Sequence, residues 1–138
     1  MSHSQADILV VESDPILHAL LRMAFQRAGY SARFASRGEQ ALSLLKEQPP
    51  HLVLLDLHLA QENGLDLLKR LKGDRLLRDI DVIMVSALGF REIVQEAVQA
   101  GASDFLVKPF LVDDLLRRVQ RVLGHAKIKP LSAGLPKT

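Results

Sequence analysis

The chain has 138 residues, 48% of them apolar and 25% charged, which is enough for one domain with a proper core and too apolar for disorder. It contains no cysteine, so disulfides and thiolate metal centres are excluded. A formal charge of +2 is too small to point to nucleic acid, and no apolar run approaches the roughly 20 residues a membrane helix needs.

In chain order, the polar start MSHSQAD has no apolar stretch resembling a signal peptide, so a cytoplasmic protein is expected. The first apolar run is Ile8 to Val11, continuous and aliphatic, as expected of a strand covered on both faces. Asp14 and Pro15 then form a strong helix start, and Leu17, Leu20, Leu21, Ala24 and Ala28 trace an apolar stripe that ends at Gly29. A weaker, partly polar run, Ala32 to Ala35, suits an edge strand, and Ala41, Leu44 and Leu45 mark a second helix. Leu52 to Leu55 predicts a third strand, followed by a helix carrying Leu65, Leu68 and Leu71. Val82 to Val85 predicts a fourth, followed by Ile93, Val94, Ala97 and Val98 on a helix closed by Gly101. Phe105 to Val107 is the fifth, and Val112, Leu115, Leu116, Val119 and Leu123 mark the last helix. Arg117, Arg118, Arg121, Lys127, Lys129 and Lys137 concentrate basic charge near the end, which reads as a solvated helix face and a tail.

This (βα)5 alternation predicts a doubly wound, flavodoxin-like parallel sheet of five strands in the order 2-1-3-4-5. The expected division is an N-terminal extension over 1–6, the folded domain over 7–124, and a tail or the start of a linker over 125–138, where Pro, Gly and Lys replace the periodic pattern.

Ligands of such sheets bind beyond the carboxyl ends of the strands, so the residues after each run carry the functional signal. Glu12, Ser13 and Asp14 follow the first run, Asp56 the third, Ser86 the fourth, and Lys108 with Pro109 the fifth. Any one polar residue at a strand end is unremarkable, but acids, a hydroxyl and a lysine on one rim fit a single chemistry. A carboxylate can attack a phosphoryl group, a divalent cation offsets the repulsion, and a lysine and a hydroxyl bind the transferred oxygens.

The segments ILVVESDP, HLVLLDLHLAQENGLDLLKRLK, DVIMVSA and GASDFLVKPF, in this order and spacing, resemble the receiver domain of bacterial two-component response regulators over roughly residues 7–123. The resemblance implies that Asp56 is the phosphoacceptor, served by a sensor histidine kinase or a phosphotransfer protein. It implies that Ser86 is the switch hydroxyl, that Lys108 supplies the phosphate counter-charge, and that the Lys108–Pro109 peptide is cis. Mg²⁺ is implied as the cofactor, held by Glu12, Asp56 and the backbone carbonyl of His58. A homodimer or a downstream protein is expected on the face made by helix 4, strand 5 and helix 5, with Phe90, Arg91, Gln95, Phe105, Asp114, Arg117 and Arg118 on it. Neither direct nucleic-acid binding by this domain nor a membrane partner is expected. No turnover is expected beyond slow autodephosphorylation.

Three departures stand out. Ser13 occupies the place where the family has the second of two acids, the usual direct metal ligand, and a neutral hydroxyl is a poor substitute. Losing one charge-assisted contact costs roughly 1.5–3 kcal/mol, so a weakened site is expected. Ala60 stands where proline is common, which loosens the loop after Asp56, and Phe105 stands where tyrosine is common. The runner-up reading is a phosphorylation-independent module that works by protein–protein contact alone. A nucleotide or flavin binder would need a glycine-rich or hydroxyl-rich loop where ESDP stands. A phosphatase with its nucleophile after the first strand would want an aspartate in place of Glu12. His18 and the His58 ring read as surface groups without a role.

Overall fold

The computed structural model describes residues 6–124, so the N-terminal residues 1–5 and the proposed tail over 125–138 lie outside the described residues. The chain runs β1 (Asp7–Val11), α1 (Pro15–Ala28), β2 (Ser31–Ala35), α2 (Gly38–Glu47), β3 (Leu52–Asp56), β4 (His58–Leu59), β5 (Glu62–Asn63), α3 (Gly64–Gly73), β6 (Asp81–Ser86), α4 (Arg91–Gln99), β7 (Asp104–Val107) and α5 (Val112–Leu123). The main sheet is parallel, in the order β2-β1-β3-β6-β7, which is the predicted order once the short β4–β5 hairpin is set aside.

Alternation along the buried strands divides the core in two. Ile8, Val10, Leu52, Leu54, Ile83, Val85 and Leu106 meet α1 and α5, through Leu21, Phe25, Leu115, Val119 and Leu123. Leu9, Val11, Val53, Leu55, Val82, Met84 and Phe105 meet α2, α3 and α4, through Ala41, Leu45, Leu68, Leu71 and Ala97. Each fully buried large side chain contributes about 1.5–3 kcal/mol, which suffices to fix the register of every strand. β2, half-exposed along most of its length, is the expected edge.

Three expectations need correction. On α1 the buried arc centres on Leu21, Ala24 and Phe25. Leu20 falls at its margin and is 45% exposed, while Ala28, in the last turn, is uncovered. On α4 only Ala97 is buried; Val98, one residue and about 100° further round the helix, faces outward. Phe105, expected on the face now made by α4, β7 and α5, is only 9% exposed and packs into the α2–α3–α4 side of the core beside Met84.

Candidate functional site

Glu12 immediately follows β1, and its backbone N–H donates to the carbonyl of Ala35 at 2.9 Å, which ties it to the neighbouring strand. Asp56 is the last residue of β3 and Ser86 the last of β6. Lys108 immediately follows β7, where its N–H donates to the carbonyl of Ser86 at 2.8 Å, and its peptide bond to Pro109 is cis as expected. Strand ends alone therefore bring Glu12, Asp56, Ser86 and Lys108 to one rim, though they lie up to 96 residues apart in sequence.

The side chains converge. Lys108 Nζ donates to Asp56 Oδ2 at 2.8 Å and to Glu12 Oε1 at 3.0 Å. Both carboxylates are nearly closed off, with Asp56 5% and Glu12 4% exposed. Asp56 Oδ1 accepts from the His58 N–H at 2.9 Å, and Glu12 Oε2 accepts from the Asp14 N–H at 3.1 Å. Burial pushes the Glu12 carboxyl above its ordinary value of 4.5, and the adjacent Asp56 carboxyl, within hydrogen-bonding reach, adds to the rise. Burial alone pulls the Lys108 ammonium down, but the Asp56 and Glu12 carboxylates outweigh it and hold it above 10.5. Two buried carboxylates thus share one ammonium, and the rim is short of one positive charge.

Ser86 is fully buried, and its Oγ accepts from the Leu88 N–H at 2.9 Å. Ser13 is half-buried beside Glu12. Asp14 caps α1, its Oδ1 accepting from the Ile16 N–H at 2.9 Å. The loop after Asp56 is closely built: Leu57 N–H donates to Val85, Gly64 N–H donates to Leu57, and Asn63 caps α3 through the Leu65 N–H. A Cβ at Gly64 would stand 2.2 Å from the Asp56 carbonyl oxygen, so only glycine lets α3 start this close to the site.

The His58 ring is exposed, as expected. His18 is not a simple surface residue: its Nε2 donates to the Glu12 carbonyl oxygen, and its ring lies 5.2 Å from that of Phe34, which Arg22 covers from 4.3 Å. The apolar stripe of α1 gave no sign of this, because the partner is a backbone atom on another element.

Among the described residues, no group of three or more His, Cys, Asp or Glu side chains is disposed to share a metal ion. The donors present still suit a hard cation: two buried carboxylates with a charge deficit and a neighbouring hydroxyl, the remaining positions left to water, as Mg²⁺ tolerates.

Fold and rim together define a doubly wound α/β domain with an acidic, lysine-bridged site beyond its strand ends. The chain belongs to the response regulator receiver domain family, whose profile matches residues 8–120. Its relatives include the DNA-binding dual master transcriptional regulator RpaA of Synechocystis, 33% identical over 91% of this chain and 52% of the relative. The sporulation initiation phosphotransferase F of Bacillus subtilis is 34% identical over 84% of this chain and 92% of the relative. This chain spans about half the length of RpaA and of the Pseudomonas aeruginosa phosphate regulon regulator PhoB, and 28% of the Escherichia coli regulator ZraR. Among solved structures, the receiver domain of a Pseudomonas aeruginosa sensor histidine kinase superposes with a TM-score of 0.79 at 26% identity, covering 88% of this chain and 99% of that one. It is described with a magnesium ion coordinated in its active-site cleft. The receiver domain of a Vibrio parahaemolyticus LuxO-type repressor superposes with a TM-score of 0.85 at 28% identity, over 92% and 96% of the two chains. Among the described residues no helix is long and apolar enough to cross a membrane.

Proposed function

We propose that this receiver domain, folded over residues 7–124, accepts a phosphoryl group on Asp56 from the phosphohistidine of a sensor histidine kinase or phosphotransfer protein. An Asp56 carboxylate oxygen forms the new bond to phosphorus as the phosphorus–nitrogen bond breaks, and the imidazole leaves with the electron pair. The observation that carries the reading is the bridge from Lys108 to Asp56 and Glu12: an ammonium already stands where the transferred oxygens need a counter-charge. Glu12, Asp56 and the His58 backbone carbonyl would hold Mg²⁺, with Ser13 as a weak additional donor. When bound, the ion offsets repulsion between the incoming phosphoryl oxygens and the carboxylates. Ser86 turns its hydroxyl from Leu88 towards the phosphoryl group, which changes the β6–α4 loop and, through it, the face made by α4, β7 and α5 that a downstream protein or second copy reads. The cytoplasm, where such donors act, is the expected location. The comparisons lend no support to the phosphorylation-independent alternative.

The test is intact mass after incubation with a small phosphodonor, with and without Mg²⁺, alongside Asp56→Asn. The expected result is a Mg²⁺-dependent gain of one phosphoryl group, absent in the variant. Ser13→Asp, which restores a third carboxylate, is expected to lower the Mg²⁺ requirement about tenfold. No gain in the parent chain at any Mg²⁺ concentration, with gain in Ser13→Asp, would mean that the serine has disconnected the switch.

A further inference from the structure

The helix that flanks the phosphoacceptor loop starts without a cap of its own. Arg37 precedes α2 and makes no side-chain capping bond, yet the Gly38 N–H donates to both carboxylate oxygens of Glu62, at 3.1 and 2.9 Å. Glu62 comes from the β4–β5 hairpin, the segment that begins two residues after Asp56. In that hairpin His58 pairs with Asn63 and Leu59 with Glu62, and Gln61 turns the chain with a positive φ of 63°. Leu59 is buried against the core on one side, and Glu62 reaches α2 on the other. The far end of α2 is also held: Arg33 donates to the carbonyls of Leu44 and Gln48 while paired with Asp7. Glu62 therefore fastens the hairpin to a helix that is itself anchored in the sheet.

We propose that Glu62 is a positioning residue for the metal-binding loop, fixing the His58 backbone by capping α2 at Gly38. The proposal rests on the reading of His58 as a metal ligand given above. The loop carries Ala60 rather than a proline, so hydrogen bonds hold it in place of a restrained backbone, and Glu62 supplies the one described that reaches α2. A carboxylate at a helix N-terminus is favourable on its own account, since it meets a free N–H and the positive end of the helix dipole. Here that preference is used to hold a loop. Gly38 is part of the device, because a Cβ there would stand 2.2 Å from Glu62 Oε1 and displace the carboxylate.

The test follows the loop amides of the isotope-labelled full chain by NMR during Mg²⁺ titration, and measures the phosphodonor labelling rate as a function of Mg²⁺. The variants are Glu62→Ala, Glu62→Gln and Gly38→Ala. Glu62→Ala is expected to raise the half-saturating Mg²⁺ concentration about three- to tenfold in both readouts, with the labelling rate at saturating Mg²⁺ nearly unchanged. Glu62→Gln, which keeps one acceptor oxygen, restores part of the loss. Gly38→Ala, which favours helix formation yet evicts the carboxylate, reproduces Glu62→Ala. Unchanged half-saturation in Glu62→Ala or Gly38→Ala overturns the proposal, as does a lowered maximal rate with unchanged half-saturation. A parent chain whose loop amides ignore Mg²⁺ overturns it too. A parent chain that binds Mg²⁺ with this order of variants but takes no phosphoryl group leaves the role of Glu62 standing and removes the phosphoacceptor reading.

Discussion

β1 carries a buried carboxylate at each tip, and the two are held in opposite ways. At its start, Asp7 pairs with Arg33 at 2.7 Å, and the other guanidinium N–H groups satisfy the carbonyls that end α2. Just past its end, Glu12 shares Lys108 with Asp56. The first arrangement is one cation to one anion; the second is one cation to two. Buried charge is tolerated when paired and hydrogen-bonded, so the Asp7 end reads as a fastening. The Glu12 end leaves a deficit that a divalent cation can fill, so it reads as a site. Two acids five positions apart, one at the start of β1 and one just past its end, are sorted into structure and function by charge count.

The largest effect that would break this contrast lies at the fastening. Arg33→Ala leaves Asp7 buried without its cation and strips two carbonyls of their donor, and should cost about 3 kcal/mol in urea unfolding. A loss below about 1 kcal/mol would show that the pair at the start of β1 is no more structural than the rim.

A smaller effect, of opposite sign, is expected at the rim. Asp56→Asn removes one of two repelling carboxylates and leaves Lys108 to Glu12 alone, so stability without divalent cations should rise by about 1 kcal/mol. Added Mg²⁺ should then stabilise the parent chain and not the variant. A destabilised Asp56→Asn would move Asp56 into the company of Asp7.

The smallest effect sharpens the comparison through pH. Because burial and Asp56 raise Glu12 above 4.5, between that pH and the folded value the folded chain keeps a proton that the unfolded chain has released. That stabilising contribution is complete below pH 4.5 and is lost as the pH rises through the folded value, so Glu12→Gln should flatten this part of the urea midpoint profile. Lys108, held above 10.5, contributes stability below that pH and loses it as the pH rises past its own folded value. A profile that Glu12→Gln leaves unaltered would mean that neither burial nor Asp56 raises Glu12 in the folded chain.

Much of this was legible in the sequence because buried parallel strands are written as short aliphatic runs, and the residues after them must lie on one rim. That logic located Glu12, Asp56, Ser86 and Lys108 without contact information. The β4–β5 hairpin escaped because two-residue strands carry no periodic signal. Phe105 is buried although the family resemblance set it on the output face, and a run of three residues does not state which face of the sheet each side chain takes. Leu20 was placed on the buried stripe of α1 and Phe25 left off it, because neighbours such as Leu20 and Leu21, or Ala24 and Phe25, differ by a rotation that only packing resolves. Glu62 and Gly38 lie 24 residues apart on different elements, and a glutamate followed by an Asn–Gly pair looks like any solvated turn.

The Ser86–Leu88 bond has a consequence for watching the proposed switch. Its oxygen is occupied by the Leu88 N–H, so any turn of that hydroxyl towards Asp56 releases a backbone donor two residues before Phe90, a ring 61% open to water. The chain contains no tryptophan. Phe90→Trp therefore gives a single tryptophan on the segment next in line to move, excitable at wavelengths that Tyr30 does not absorb, and would turn the proposed rotation of a buried hydroxyl into light.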